Sequence, residues 1–89
     1  MVSVVFTGNL KRHIQAEPTQ VEPGDIGRVL EQVFADNPTL RGYVLDDQGG
    51  VRKHVTVYIN GEAIGDRDGL SDQVPDNAEV YIAQALSGG

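Results

Sequence analysis

The segment between Asp25 and Asp36 carries the clearest periodic pattern in the chain. Its apolar side chains recur three and four residues apart, as along one face of an α-helix: Ile26, Val29, Leu30, Val33 and Phe34. Asp25 is placed to cap the first turn with its carboxylate, and Asn37-Pro38 ends the pattern. We therefore predict a helix over residues 25–36. A helix with one apolar face requires a sheet to pack against.

The first part of the chain predicts an antiparallel hairpin. Residues 2–7 are β-branched and aromatic and are followed by the turn residues Gly8-Asn9, which indicates a first strand. Residues 12–15 are predicted to return antiparallel to it. Residues 17–24 contain two prolines and a glycine, so we expect them to connect the hairpin to the helix without regular structure.

A second pair of strands is predicted after the helix. Residues 53–59 alternate, with Val55, Val57 and Ile59 on one face, and Asn60-Gly61 is a strong hairpin signal that leads into a short return strand over residues 62–64. Residues 40–45 are apolar enough to pack but contain a glycine, and residues 46–50 are expected to form a loop. Residues 65–77 are expected to form another loop, from which Leu70 and Val74 reach the core.

The last predicted strand covers residues 79–85, with Val80 and Ile82 on one face and Tyr81, Ala83 and Ala85 on the other. The order of elements is that of a β-grasp domain. We expect an α+β protein of this ubiquitin-like class, with a mixed four- to five-stranded sheet and one helix packed on one face. The domain is expected to cover residues 1–85 and to be followed by a flexible tail over residues 86–89.

Composition excludes several classes of function. The net charge of −6 argues against nucleic acid and against anionic membrane surfaces, because both attract clustered Lys and Arg. The chain has no cysteine, so a disulfide framework, a thiolate metal site and a cysteine nucleophile are all excluded. No leader pattern or membrane-length apolar run is present, and we expect a cytoplasmic protein.

The tail consists of Leu86, Ser87, Gly88 and Gly89. Two residues without a Cβ atom make a thin tip that fits a narrow channel, and the carboxylate of Gly89 is an acyl group that an active site could activate. A frayed chain end would also be rich in small residues. The tail therefore indicates a function only together with the strand and the fold that precede it.

Two segments resemble the ubiquitin-like sulfur carriers of the MoaD/ThiS family. They are residues 55–62, a strand with an Asn-Gly turn, and residues 80–89, a strand with a short tail and Gly-Gly. The chain departs from the usual family pattern in two places: it has Asp76-Asn77-Ala78 where the family usually has Gly-Asp, and Ala83-Gln84-Ala85 where the family usually has a proline.

The resemblance implies that the chain is a co-substrate and not an enzyme. A ubiquitin-activating-type partner would use ATP and Mg²⁺ to adenylate Gly89, with no cofactor bound to this chain itself. A sulfide or persulfide donor would then produce a thiocarboxylate. The sulfur would pass to an acceptor enzyme in molybdopterin, thiamin or cysteine biosynthesis.

We predict that residues of the tail and of the sheet face opposite the helix bind the partner. These residues are Leu86, Ser87, Tyr58, Tyr81, Ala83 and Ala85. The tail residues would contact the partner or act as a solvated spacer. The tyrosines would form a docking patch or an ordinary cross-strand pair.

No metal site is predicted, because His13 and His54 have no ligand cluster around them and the Asp-rich turns lack the run of ligands that calcium requires. Two further functions stay open. The chain could be a protein modifier that forms isopeptide bonds through Gly89, or a non-covalent β-grasp binding module.

Overall fold

The computed structural model describes residues 1–8 and 19–84 of the chain. Within these ranges seven strands and two helices follow one another: β1 (Val2–Gly8), β2 (Thr19–Val21), β3 (Gly24–Asp25), α1 (Ile26–Asp36), α2 (Thr39–Val44), β4 (Val55–Ile59), β5 (Glu62–Ala63), β6 (Gln73–Val74) and β7 (Glu79–Gln84). The predicted strand over residues 12–15 lies outside the described residues.

Five of the strands form one mixed sheet in the order β2-β1-β7-β4-β5. The central strand β7 runs parallel to β1 and antiparallel to β4, while β2 and β5 pair antiparallel with β1 and β4. The remaining two strands, β3 and β6, form a separate two-stranded ribbon. The α+β class and the mixed sheet with a main helix confirm the predicted β-grasp architecture.

The core lies between one face of the sheet and α1. Alternate residues of the three inner strands point into it, and the whole predicted stripe of α1 is buried there. Val80 and Ile82 of β7 are fully buried, as are Val55 and Val57 of β4. The apolar side chains that recur every second residue in the strands therefore pack against those that recur every 3.6 residues in the helix.

The N-terminus of α1 is capped by its own chain. The Asp25 carboxylate accepts a hydrogen bond from the Arg28 amide at 2.8 Å, as predicted. The amides of Ile26 and Gly27 donate to the carbonyls of Asp72 and Leu70, at 2.8 and 3.0 Å. Because these amides have no partner within a helix, the loop after β5 satisfies donors that would otherwise be left free.

That loop is held together by two carboxylates. Asp66 accepts hydrogen bonds from the Gly69 amide at 2.8 Å and from the Ser71 hydroxyl at 2.6 Å. Asp72 accepts from the amides of Gly65 and Asp66 at 3.0 and 2.8 Å. These bonds lower the pKa of both carboxyls below the ordinary 3.8. They also support Leu70, which is buried despite a left-handed backbone with φ of 57°.

Several local predictions are confirmed. The helix ends at Asp36 with Asn37 as its C-cap. The β4–β5 turn has positive φ at both Asn60 (51°) and Gly61 (87°), as a two-residue type I′ hairpin requires. Leu70 and Val74 are both buried, as expected of side chains that reach the core from the loop.

Other local predictions are wrong. Residues 17–24 were expected to lack regular structure, but Thr19–Val21 pairs with β1 and Gly24 begins a short strand against β6. Residues 65–77 were expected to form a loop, but Gln73–Val74 is the strand β6. Lys53 and His54 form a turn before β4 and are not its first residues. No element was predicted for residues 40–45, most of which lie in α2. Two- and three-residue strands and a six-residue helix are too short to show a period, so tertiary pairing decides them.

We expect Asp25→Ala to lower the free energy of unfolding by about 1 kcal/mol, because the Arg28 amide loses its acceptor. Urea unfolding followed by circular dichroism measures the difference. Asp36→Ala is the matched control, because it removes an exposed carboxylate from the other end of the same helix. Equal stability of Asp25→Ala and wild type would contradict the capping role.

We expect the stability advantage of wild type over Asp66→Ala to depend on pH. The folded-state pKa of Asp66 is depressed, so its contribution is present above the unfolded value near 3.8 and is lost as the pH falls through the lower folded value. Denaturant unfolding from neutral to acidic pH tests this. Asp47→Ala, in an exposed turn, is the control. A difference that stays constant down to the acid limit would argue against the carboxylate as the cause.

Candidate functional site

The last described strand, β7, is the central strand of the sheet. Gln84, the last described residue, lies opposite Gly8 of β1 on one side and opposite Val55 of β4 on the other. Backbone pairing on both sides fixes β7 up to that residue. We call this end of the sheet, marked by Gly8, Val55 and Gln84, the exit end. Whatever follows Gln84 starts from a rigid point.

The sheet face opposite α1, here called the open face, carries the predicted aromatic pair. Tyr58 of β4 and Tyr81 of β7 are direct cross-strand neighbours. Val5 of β1 lies beside Tyr81, and Ala63 of β5 lies beside Tyr58, so a row crosses four strands. The row is apolar apart from the phenol groups, and Val5, Tyr58 and Tyr81 are half-buried.

Ala83 continues this face towards the exit end. It lies two residues beyond Tyr81 and opposite Thr56 of β4, and both side chains are half-buried. The small side chain leaves the neighbouring rings accessible from the side on which the chain departs. The face therefore offers a shallow surface that runs from the tyrosines to the base of the tail.

Tyr81 is held in place by a carboxylate on the same strand. Its hydroxyl donates a hydrogen bond of 2.6 Å to Oε2 of Glu79. This bond and the nearby negative charge raise the pKa of Tyr81 above its ordinary 10.0. Glu79 is in turn anchored by Asn60, whose side-chain oxygen accepts from the Glu79 amide at 3.0 Å. The β4–β5 turn thus positions the phenol indirectly.

The structure brings together Tyr58, Tyr81 and Ala83 of the predicted site. The other predicted residues lie outside the described ranges: Ala85, Leu86, Ser87, Gly88 and Gly89.

Sequence reasoning missed Val5, because only the parallel pairing of β1 with β7 places it beside Tyr81. It also missed Glu79. The Glu-x-Tyr spacing, which puts both side chains on one face of a strand, could have indicated it.

The described ranges contain neither a candidate metal site nor a membrane-spanning helix. Residues 1–8 and 19–84 contain no group of three or more His, Asp or Glu side chains that could hold a metal ion. No helix in these ranges is long and apolar enough to cross a membrane. His54 is half-buried in the turn before β4, while His13 lies outside the described residues.

Comparison with known proteins gives matches at the level of structure. No protein-family model matches the sequence, and no curated protein matches it significantly. SAMP1 from Haloferax volcanii matches with a TM-score of 0.80 and 22% identity, over 99% of this chain and 98% of that one. A chain of the Amycolatopsis orientalis BexX/CysO complex matches with a TM-score of 0.84 and 19% identity, over 100% of both chains. Mycobacterium tuberculosis CysO matches with a TM-score of 0.81 and 21% identity, over 97% of this chain and 100% of that one.

These matches and the strand order define the class of fold: the chain has the β-grasp fold. More particularly, its fold is that of SAMP1 and CysO over essentially the full length of each. At 22% identity or less, the similarity establishes the fold, and the function has to be argued from the site.

We expect Glu79→Gln to lower the pKa of Tyr81 towards 10.0, because an uncharged amide stabilises the neutral phenol less. Titration of the tyrosine ring signals by NMR measures the shift, with Tyr81→Phe to assign the resonance. Glu62→Gln, an exposed carboxylate on the neighbouring hairpin, is the control and should leave Tyr81 unchanged. An identical Tyr81 titration in Glu79→Gln and wild type would remove Glu79 as the cause.

Proposed function

We propose that this chain is a sulfur carrier protein whose Gly89 carboxylate is activated by a partner enzyme. The observation that carries the proposal is the double pairing of β7 up to Gln84. A tail that leaves from a fixed central point can be inserted into a partner's active site reproducibly, whereas a tail on a frayed element would first have to be ordered.

The length of the tail limits where the partner can lie. Ala85 and the four residues of the tail follow Gln84, and a fully extended segment of these five residues spans at most about 18 Å. The reacting carboxylate of Gly89 is therefore never far from the exit end. An enzyme that encloses Gly88 and Gly89 in a channel must press its own surface against the body of the β-grasp domain.

The open face supplies the contact surface in this proposal. Tyr58 and Tyr81 present aromatic area with a polar edge, a combination enriched at protein interfaces. Ala83 and Ala85 lie between the tyrosines and the tail in the sequence pattern, and Leu86 and Ser87 continue towards the channel. The partner would contact the two tyrosines while it binds the tail.

The chemistry needs two displacement steps at the carboxylate. An oxygen of Gly89 attacks the α-phosphorus of Mg²⁺-bound ATP, pyrophosphate leaves, and an acyl adenylate forms. Sulfide then attacks the acyl carbon, AMP leaves with the bonding electron pair, and a thiocarboxylate remains. A persulfide donor would instead give an acyl disulfide, which a thiol must cleave. This chain supplies the acyl group, and the partner supplies the catalysis.

The acceptor of the sulfur belongs to cofactor or cysteine biosynthesis in this proposal. Molybdopterin, thiamin and cysteine routes all use an acceptor enzyme that would dock on the same face. The fold shared with CysO, which was crystallised with BexX in the Amycolatopsis orientalis complex, supports an assembly of carrier and enzyme.

A second function is favoured by one comparison. The fold is also that of SAMP1, which is described as a small archaeal modifier protein. A modifier would form isopeptide bonds between Gly89 and lysines of other proteins after the same adenylation. A non-covalent binding module would need neither step.

We expect the intact mass to increase by the replacement of one oxygen with sulfur when the protein is incubated with ATP, Mg²⁺, sulfide and the host's activating enzyme. Mass spectrometry reads the shift, and tandem fragmentation places it at Gly89. Deletion of Gly89, or one alanine appended after it, should abolish the shift because the reacting carboxylate is moved.

The controls separate the three functions. A ladder of conjugates in cell extract that requires Gly89 would indicate a modifier. No mass shift with an enzyme that activates its own known carrier, together with full partner binding by the alanine-extended protein, would indicate a non-covalent module.

A further inference from the structure

Charge is distributed unevenly along the sheet. At the end where β7 begins lie the carboxylates of Glu62, Asp76 and Glu79, of which Asp76 forms an ion pair of 2.6 Å with the Met1 ammonium group. Asp72 lies near them, because it lines one groove together with Glu62.

Cationic side chains lie near the exit end. Arg52, Lys53 and His54 immediately precede Val55, the residue that pairs with Gln84. We call Arg52 and Lys53 the cationic rim. Together with Asp46 and His54 they line a groove of about 320 Å³. Asp46 is its one acidic lining residue, and its carboxylate already accepts hydrogen bonds from the amides of Gln48 and Gly50.

The two arginines near this groove have structural tasks. Nε of Arg52 donates to the Gly42 carbonyl at 2.8 Å. The Arg67 guanidinium donates to the carbonyls of Arg52 and Val55 at 2.6 and 2.7 Å, which fixes the turn before β4. Lys53 is exposed, and no ion pair involves it within residues 1–8 and 19–84. A rigid turn therefore presents one uncommitted ammonium group beside the base of the tail.

We propose that the cationic rim, with Lys53 as its principal contact, binds a cluster of Asp and Glu side chains that borders the tail-receiving channel of the activating enzyme. The proposal rests on the proposed function for the identity of that enzyme. Because the tail spans at most about 18 Å, the mouth of the channel faces the rim at close range. Exposed charges interact over about 8 Å at physiological ionic strength, so the rim acts mainly at this mouth.

Opposite charges at the two ends also orient the approach. An acidic channel mouth attracts the exit end and repels the carboxylates at the far end of β7. Such complementarity raises the association rate and selects the productive orientation more than it adds to final affinity. The rim is therefore expected to raise kcat/KM for the carrier, and this effect is expected to decrease as the salt concentration rises.

The test compares two charge reversals that alter net charge equally. Lys53→Glu changes the rim, and Arg28→Glu changes an exposed arginine on α1, in a different groove, without an ion pair in the described residues. Carrier-dependent ATP–pyrophosphate exchange by the activating enzyme is measured over a range of NaCl concentrations. At low salt we expect Lys53→Glu to lower kcat/KM for the carrier about tenfold and Arg28→Glu less than about twofold, and we expect the gap to narrow as salt rises.

Equal effects of the two reversals, or a Lys53→Glu effect that salt leaves unchanged, would overturn the proposal. A rise in the KM for ATP instead of the KM for the carrier would also overturn it, since Lys53 would then contact the nucleotide. Thermal unfolding of both variants separates these outcomes from loss of the fold.

A second experiment needs no enzyme and tests whether the rim binds acidic side chains even if Gly89 is never activated. A hexaglutamate peptide is titrated into the ¹⁵N-labelled protein at low salt. We expect amide shifts centred on residues 52–56 and 82–84, retained in Arg28→Glu and lost in Lys53→Glu. Shifts centred on α1, or none, would refute an acid-binding rim. Failure of the proposed function alone would appear as this pattern without any pyrophosphate exchange by wild type.

Discussion

The double pairing of β7 is the constraint on which the rest of the structure depends. The β1–β2 and β4–β5 hairpins pair with each other only through this strand. Val80 and Ile82 lie at the centre of the interface with α1, so the same residues that join the hairpins also complete the core. The chain therefore cannot assemble its sheet without immobilising the segment that leads into the tail, and folding itself sets the position of the exit end.

Because side chains alternate along the strands, one face of the sheet forms the core and the other forms an accessible surface. Residues that face α1 are apolar and buried, whereas the opposite face has the tyrosine row and small side chains. Glu79 shows how closely the two are linked: its backbone pairs at the start of β7, its amide is held by Asn60, and its carboxylate orients Tyr81. A surface built on central strands is more precise than one built on loops, because its side chains inherit the register of the sheet.

Local periodicity predicted the parts of the fold that are long enough to show it. The stripe of α1, the Asp25 cap, the Asn60-Gly61 turn and the alternation of β4 and β7 needed no tertiary information. The parallel pairing of β1 with β7 did need tertiary information, because no local signal in the sequence places these two strands side by side. Val5 was missed for that reason. The ribbon of β3 with β6 likewise depends on a contact between distant segments. The proposed reacting residues Gly88 and Gly89 rest on sequence alone.

The loop that closes over α1 also bears on what the domain can bind. The exposed amides at a helix N-terminus are a common site for phosphate groups, as in many nucleotide-binding folds. Here the first three are occupied by oxygen atoms of the chain itself: two backbone carbonyls and the Asp25 carboxylate, whose negative charge repels an anion. The one long helix of the described chain is thereby closed to nucleotides. In the proposed function this chain offers only the acyl group, and the triphosphate that activates it would be held by the partner enzyme.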